Sequence, residues 1–182
     1  MLKSTLNFIG LDLSLTGTAY VVLDSDGDIV GSKVIRPKYT GVRRLGEIKE
    51  HLLALLTSLP PKTLFAVEGY AFGSTTAAHA QGELGGLARL TLYENEFPYI
   101  DVPPALVKKY ATGKGNAPKE QVMLHVLKRW GHHFETNDEA DAFVLAMIAA
   151  EKFSPETIKE IQLVQFQQEV LAKLGQVIKK GA

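Results

Sequence analysis

Apolar and polar positions change period several times along the chain, and each change marks an element. Residues 6–13, LNFIGLDL, form a short, nearly continuous apolar run that predicts a buried strand. AYVVLD (19–24) and DIVGSKVI (28–35) predict two more strands joined by a turn at Ser25, Asp26 and Gly27, because an Asp-Gly pair between apolar runs signals a hairpin. The DSDGD run also resembles the start of a calcium loop. The twelfth position counted from Asp24 is Ile35, however, where that loop needs a bidentate Glu, so the segment reads as a turn.

The period then lengthens. Residues 41–58 place Leu45, Ile48, Leu52, Leu55 and Leu56 on one stripe, which predicts a helix stopped by Pro60 and Pro61. TLFAVEGY (63–70) predicts a short buried strand. Residues 75–95 predict a helix whose Gly82, Gly85, Gly86 and Ala88 are small enough for another backbone to come close. FPYIDV (97–102) predicts a strand ended by Pro103 and Pro104, followed by helices over 118–130 and 137–152. From Ser154 to about Lys180 the apolar positions Ile158, Ile161, Leu163, Phe166, Val170, Leu171, Leu174 and Ile178 predict one long amphipathic helix, packed on the domain or on a partner. A hairpin-rich start followed by alternating strands and helices implies an α/β layered domain with a mixed sheet, spanning 1–153, with 154–182 as a helical appendage.

Composition narrows the chemistry. The 182 residues are 46% hydrophobic and 22% charged and include no cysteine, which excludes disulfide scaffolds, thiol catalysis and Cys-ligated metal. There is neither a signal-peptide pattern at the start nor a run long enough to span a membrane, so a soluble, cytoplasmic protein without membrane contact is expected. Twenty basic and twenty acidic residues balance, but they are segregated. Between Val102 and His133 the bases Lys108, Lys109, Lys114, Lys119, Lys128 and Arg129 face only Glu120, whereas acids dominate from Phe134 to Glu160. A basic stretch beside an acidic cluster suits a nuclease, where cations hold phosphates and carboxylates hold metal, although solvated helix faces would show the same pattern.

Particular carboxylates stand where apolar residues belong. Asp12 ends a buried strand on the face of Phe8 and Gly10, and Glu68 ends LFAV in the same way. A carboxylate in such a place needs a partner or a metal. Asp138 and Asp141 share one helical face by their i, i+3 spacing, and Asp141 enters a run that is apolar on nearly every side. Asp138 is also placed to serve as a helix cap. Four converging oxygen ligands would select Mg²⁺ or Mn²⁺, and two such ions can cleave a phosphodiester.

Four stretches, in order, resemble the RuvC family of Holliday-junction resolvases in the ribonuclease H-like superfamily. They are GLDLSLTGTAYVVLD (10–24), LFAVEGYAFG (64–73), VPPALVKKYATGKGNAPKEQV (102–122) and NDEADAFVLAMIA (137–149). The resemblance implies a ribonuclease H-like three-layer fold with a mixed five-stranded sheet flanked by helices. It also implies a homodimeric, Mg²⁺-dependent endonuclease, two ions per site with Mn²⁺ able to substitute, that makes paired symmetric nicks in four-way or other branched DNA. Carried over by position, Asp12, Glu68, Asp138 and Asp141 would bind metal, Lys119 would lie near the scissile phosphate, and Lys108 and Lys114 would contact DNA. Gly113 and Gly115, between these lysines, would let the backbone approach a phosphate. The helix over 75–95 would form the dimer interface.

The chain departs from the family pattern in three ways. Where the family carries a junction-stacking aromatic there is Ala71, flanked by Tyr70 and Phe72, either of which could stack. The net charge is zero, and the segment 154–180 lies beyond the resemblance. Compact versions of this kind are found in phages. Other readings of the same residues are a nuclease acting on RNA-DNA hybrid and a non-catalytic module that binds branched DNA. An actin-like ATPase ranks last, because that architecture normally needs two such domains. His132 and His133, at a helix end, read as a surface pair.

Overall fold

The computed structural model describes residues 6–70, 78–154 and 163–181. The hairpin-rich start forms β1 (Asn7–Asp12), β2 (Thr18–Leu23) and β3 (Ile29–Ile35). There follow α1 (Gly41–Ser58), β4 (Thr63–Glu68), α2 (Ala78–Glu94), β5 (Tyr99–Val102), α3 (Pro104–Thr112), α4 (Lys119–Trp130), α5 (Asn137–Phe153) and α6 (Gln165–Lys173). The five strands make one sheet in the order β3-β2-β1-β4-β5. β2 is antiparallel to β1 and β3, whereas β1, β4 and β5 run parallel. The mixed five-stranded sheet flanked by helices is therefore the expected three-layer fold.

Strand alternation divides the core in two. Phe8, Val21, Ala66 and Ile100 are buried against α5 and its neighbours, and Ile9, Leu11, Phe65 and Val67 are buried against α1 and α2. Each of these side chains larger than alanine, fully withdrawn from water, contributes about 1.5–3 kcal/mol. The central helix α5 is buried at every position from Ala140 to Glu151, which explains a sequence that is apolar all round. It crosses β1 directly over Gly10: a Cβ there would overlap the Ala142 carbonyl oxygen and the Ala146 nitrogen. Only glycine permits that approach, and it brings the start of α5 to the end of β1.

The turn between β2 and β3 is the expected one. Asp24 Oδ1 accepts the amide hydrogens of Asp26 at 2.9 Å and Asp28 at 3.0 Å, and Gly27 takes φ +87°. The aspartate thus caps its own turn.

Three expectations are corrected. Pro104 not only follows the end of β5 but starts α3, a helix missing from the expected order; proline is well suited to the first helical turn, where its missing N–H costs nothing. The single helix expected over 154–180 is absent among the described residues, where α6 ends at Lys173 and Leu174 is already extended. Beyond it, Ile178 exchanges backbone hydrogen bonds with Tyr99 at 2.8 and 3.0 Å, so the chain caps the edge of β5. Ile158 and Ile161 lie outside the described residues. Finally, His132 and His133 are not a surface pair. The His132 ring packs 5.0 Å from that of Phe143 and only His133 is exposed.

Among the described residues no helix is long and apolar enough to cross a membrane.

Candidate active site

Asp12 and Glu68 end two adjacent parallel strands in the middle of the sheet, so both carboxylates emerge at the same end of it. Asp138 and Asp141 arrive on the first turns of α5, which Gly10 allows to lie against β1. The four acids line one hollow of about 300 Å³ together with Lys108 from α3 and Lys119 from the start of α4. Six of the residues singled out from the sequence thus come together from five elements.

The capping role open to Asp138 is taken by a neighbour. Thr136 accepts the Glu139 amide hydrogen at 3.2 Å and donates its own hydroxyl hydrogen to the Glu139 carboxylate at 2.9 Å. Asp138 is left to face the hollow, 3.8 Å from the Lys119 ammonium. Gly17, in the loop between β1 and β2, makes room for it: a Cβ there would stand 2.8 Å from an Asp138 carboxylate oxygen.

These acids are held in an unfavourable state. Asp12 and Asp141 are 5% and 6% exposed. Burial first, and then Glu68 beside it, pushes the Asp12 carboxyl well above its ordinary range; the two side chains share a hydrogen bond. Burial raises Glu68 as well, opposed by that hydrogen bond and by Lys119 and Lys108. Asp141 is pushed to about 7, by burial and then by Glu68, and its buried Oδ1 has no hydrogen-bond partner among the described residues. A buried carboxylate oxygen without a donor costs about 1–3 kcal/mol or more, a deficit a cation would remove. The donor set is all oxygen and fits a hard divalent ion. Among the described residues no three such groups are yet drawn in around a common point, so the acids ring the hollow without closing on a centre.

Tyr70 stands next to this hollow, 42% exposed, with the Arg89 guanidinium 4.5 Å from its ring centroid. Lys114 is exposed and lies outside the hollow, and Phe72 falls outside the described residues. The glycines beside Lys114 have structural work. Gly113 ends α3 in the left-handed conformation at φ +83°, and Gly115 packs so closely on α3 that a Cβ would lie 3.0 Å from the Ala105 carbonyl oxygen.

Two residues that shape the site had no sequence signal. Gln81 lines the hollow and donates its side-chain amide to the Leu13 carbonyl, tying α2 to the end of β1. Arg89 donates to the Glu68 carbonyl at 3.0 Å and to the Asp101 carboxylate at 2.8 Å, fixing the ends of β4 and β5. Both act across elements distant in sequence, where no local pattern records them.

Residues 8–149 match the family described as crossover junction endodeoxyribonuclease RuvC. Among curated proteins, the RuvC of Ehrlichia canis is 31% identical over 150 residues, covering 80% of this chain and 96% of that protein. The RuvC of Brucella ovis is 28% identical over 156 residues, covering 82% and 90%. Among solved structures, Thermus thermophilus RuvC aligns at TM-score 0.62 and 23% identity over 78% of this chain and 92% of that one. The same protein in complex with a Holliday junction substrate aligns at TM-score 0.65 and 24% identity, covering 78% and 91%. With the fold matched at this level and the family match spanning both strand-end acids and the α5 pair, the chain belongs to the RuvC family of crossover junction endodeoxyribonucleases.

Proposed function

We propose that the chain is a metal-dependent, structure-specific DNA endonuclease that resolves Holliday junctions by paired symmetric nicks. The observation that carries this reading is the gathering of Asp12, Glu68, Asp138 and Asp141 around one hollow, with Lys108 and Lys119 at its wall. Two Mg²⁺ ions, with Mn²⁺ as a substitute, would suit this all-oxygen donor set, whose buried carboxyls resist ionising until a cation is present. Bound there, such ions supply an ionised water and stabilise the oxygen leaving phosphorus.

The chain's own side chains do the rest. Water adds to phosphorus, the bond from phosphorus to the 3′ oxygen breaks, and the products are a 5′-phosphate and a 3′-hydroxyl. Lys119, more than half exposed and only loosely paired with Asp138, is free to swing toward that phosphate and offset the charge that builds on it. Lys108 steadies the strand as a phosphate contact. Arg89 and Gln81 hold the ends of β4 and β1, so the strand-borne acids stay in place as substrate enters.

A homodimer supports symmetric cutting, since a twofold axis places two sites on opposed strands. α2 offers a face for it. Among the described residues nothing lies within 4 Å of a would-be Cβ at Gly82 or Gly86, and Leu90 and Tyr93 on the same helix are 53% and 41% exposed. The first three residues of the helix expected over 75–95 lie outside the described residues. Tyr70 remains a candidate for stacking at the junction, as does Phe72.

The test pairs a synthetic four-way junction with a linear duplex of the same sequence, in Mg²⁺, Mn²⁺ or EDTA. Symmetric, metal-dependent nicking of the junction alone is expected, and Asp12→Asn should still bind the junction without cutting it. Cutting by this variant, or equal cutting of both substrates, overturns the reading.

A further inference from the structure

A second and larger hollow, about 570 Å³, adjoins the carboxylates and shares Pro104 and Lys108 with theirs. Its size falls within the range of roughly 300–1,000 Å³ typical of small-ligand pockets. Pro103 and Ala105 make an apolar wall, Tyr70 brings an aromatic ring, and a further wall comes from Lys173 and Gly175. That last wall belongs to the segment beyond residue 149, outside the stretch that matches the family.

The charge of this hollow is one-sided. Among the described residues of its lining the one carboxylate, Asp101, is neutralised by Arg89 at 2.7 Å. Lys108 and Lys173 have no ion pair among the described residues, and Glu169, one turn before Lys173, is engaged by Lys109 at 2.7 Å. Two ammonium groups without a direct ion pair, Lys108 offset only at longer range by Glu68 and Asp141 and Lys173 by Glu169, line a mostly apolar pocket and select an anion attached to a less polar body. A nucleotide of a DNA strand has that chemistry, and the shared wall makes the pocket continuous with the place proposed for the scissile phosphate.

The wall is also held in position. α6 is fastened to α3 through the Lys109–Glu169 pair and by Gln167, which donates to the Tyr110 carbonyl at 3.4 Å. Past the pocket, Ile178 pairs with Tyr99 on β5. Lys173 and Gly175 lie between these two anchors, so the cation is presented from a fixed frame. Such preorganisation lowers the cost of binding.

We propose that this hollow is a DNA subsite in which Lys108 and Lys173 hold a backbone phosphate neighbouring the scissile one, so that the C-terminal segment grips the substrate directly. The proposal rests on the nuclease reading above and assigns Lys173 a positioning role within it.

Fluorescence anisotropy with a labelled four-way junction, in EDTA and over a salt series, tests it on the full chain. Lys173 is exposed, so Lys173→Ala and Lys173→Glu leave the core intact. Loss of one phosphate contact should make the slope of log affinity against log salt shallower by about 0.9. Affinity should fall roughly tenfold in Lys173→Ala, as expected for one charge-assisted contact, and further in Lys173→Glu. Lys62→Ala, an exposed lysine at the opposite end of β4 from Glu68, should change neither quantity. Wild-type affinity and slope in both Lys173 variants, or an equal loss in Lys62→Ala, overturns the subsite. If the unsubstituted chain cuts junctions in Mg²⁺ while the Lys173 variants behave as wild type, the subsite alone fails; if it binds no branched DNA, both readings fail.

Discussion

Gly10 in β1 lies directly beneath Ala142 in α5, so close that a methyl group on Gly10 would overlap the Ala142 carbonyl oxygen. This contact sets how near the helix comes to the sheet. It thereby sets the position of Asp138 and Asp141 relative to Asp12.

Gly10→Ala is therefore expected to damage both stability and the site. Overpacking a tight core position costs about 1–3 kcal/mol, and more where backbone blocks relaxation, as it does here. Urea denaturation should show a lower midpoint with an unchanged slope. Metal-dependent cleavage by the fraction that remains folded should also fall, since lifting α5 parts the carboxylates. A folded variant with full activity would show that the helix is not positioned by this contact.

Lys119 is half-exposed and its ammonium is 3.8 Å from Asp138. Its removal should leave folding and junction affinity nearly unchanged while slowing the cutting step. A loss of about 100-fold in single-turnover rate is expected for a group that stabilises charge only as the bond breaks. Rate measurements at saturating enzyme check this, with Lys119→Arg retaining part of the activity. An equal fall in affinity and rate would instead make Lys119 a uniform binding contact.

Asp141 buries a carboxylate whose Oδ1 has no hydrogen-bond partner among the described residues. In EDTA at pH 8, Asp141→Asn should raise thermal stability, because a neutral amide avoids both desolvation and repulsion from Glu68. Relief of even 1 kcal/mol corresponds to roughly 2–4 °C for a chain of this size. Adding Mg²⁺ should stabilise the unsubstituted protein more than the variant, by mass action on the folded state. Scanning calorimetry with and without the ion decides, and a variant less stable in EDTA would contradict the argument.

Glu151, 5% exposed near the far end of α5, is pushed by burial from 4.5 to about 7, and its Oε1 has no hydrogen-bond partner among the described residues. The folded state therefore holds this proton more tightly than the unfolded chain does. Stability from this group is complete below about 4.5 and is lost as pH rises toward and through 7. Glu151→Gln removes the dependence. Its stability relative to the unsubstituted protein should rise by roughly 2–3 kcal/mol between pH 5 and pH 8, at about 1.36 kcal/mol per pKa unit. Urea titrations of both proteins at the two pH values, in EDTA, measure the difference directly.

The sequence by itself determined what depends on near neighbours. Period and turn chemistry located the five strands, α1, α4 and α5 to within a few residues, because alternation, helical stripes and Asp-Gly turns act over short stretches of chain. Asp12, Glu68 and Asp141 were legible because each interrupts an apolar run, a violation visible without coordinates. Tertiary structure decided what depends on residues far apart. Thr136 takes the cap and frees Asp138; Arg89 reaches from α2 to the end of β4; Gln81 ties α2 to Leu13. The C-terminal segment shows the limit most plainly, since an apolar stripe predicts a helix while the pairing of Ile178 with the open edge of β5 pulls that part of the chain into an extended form. Hydrogen bonds waiting at a sheet edge are a property of the folded sheet, and no local pattern in residues 174–180 records them.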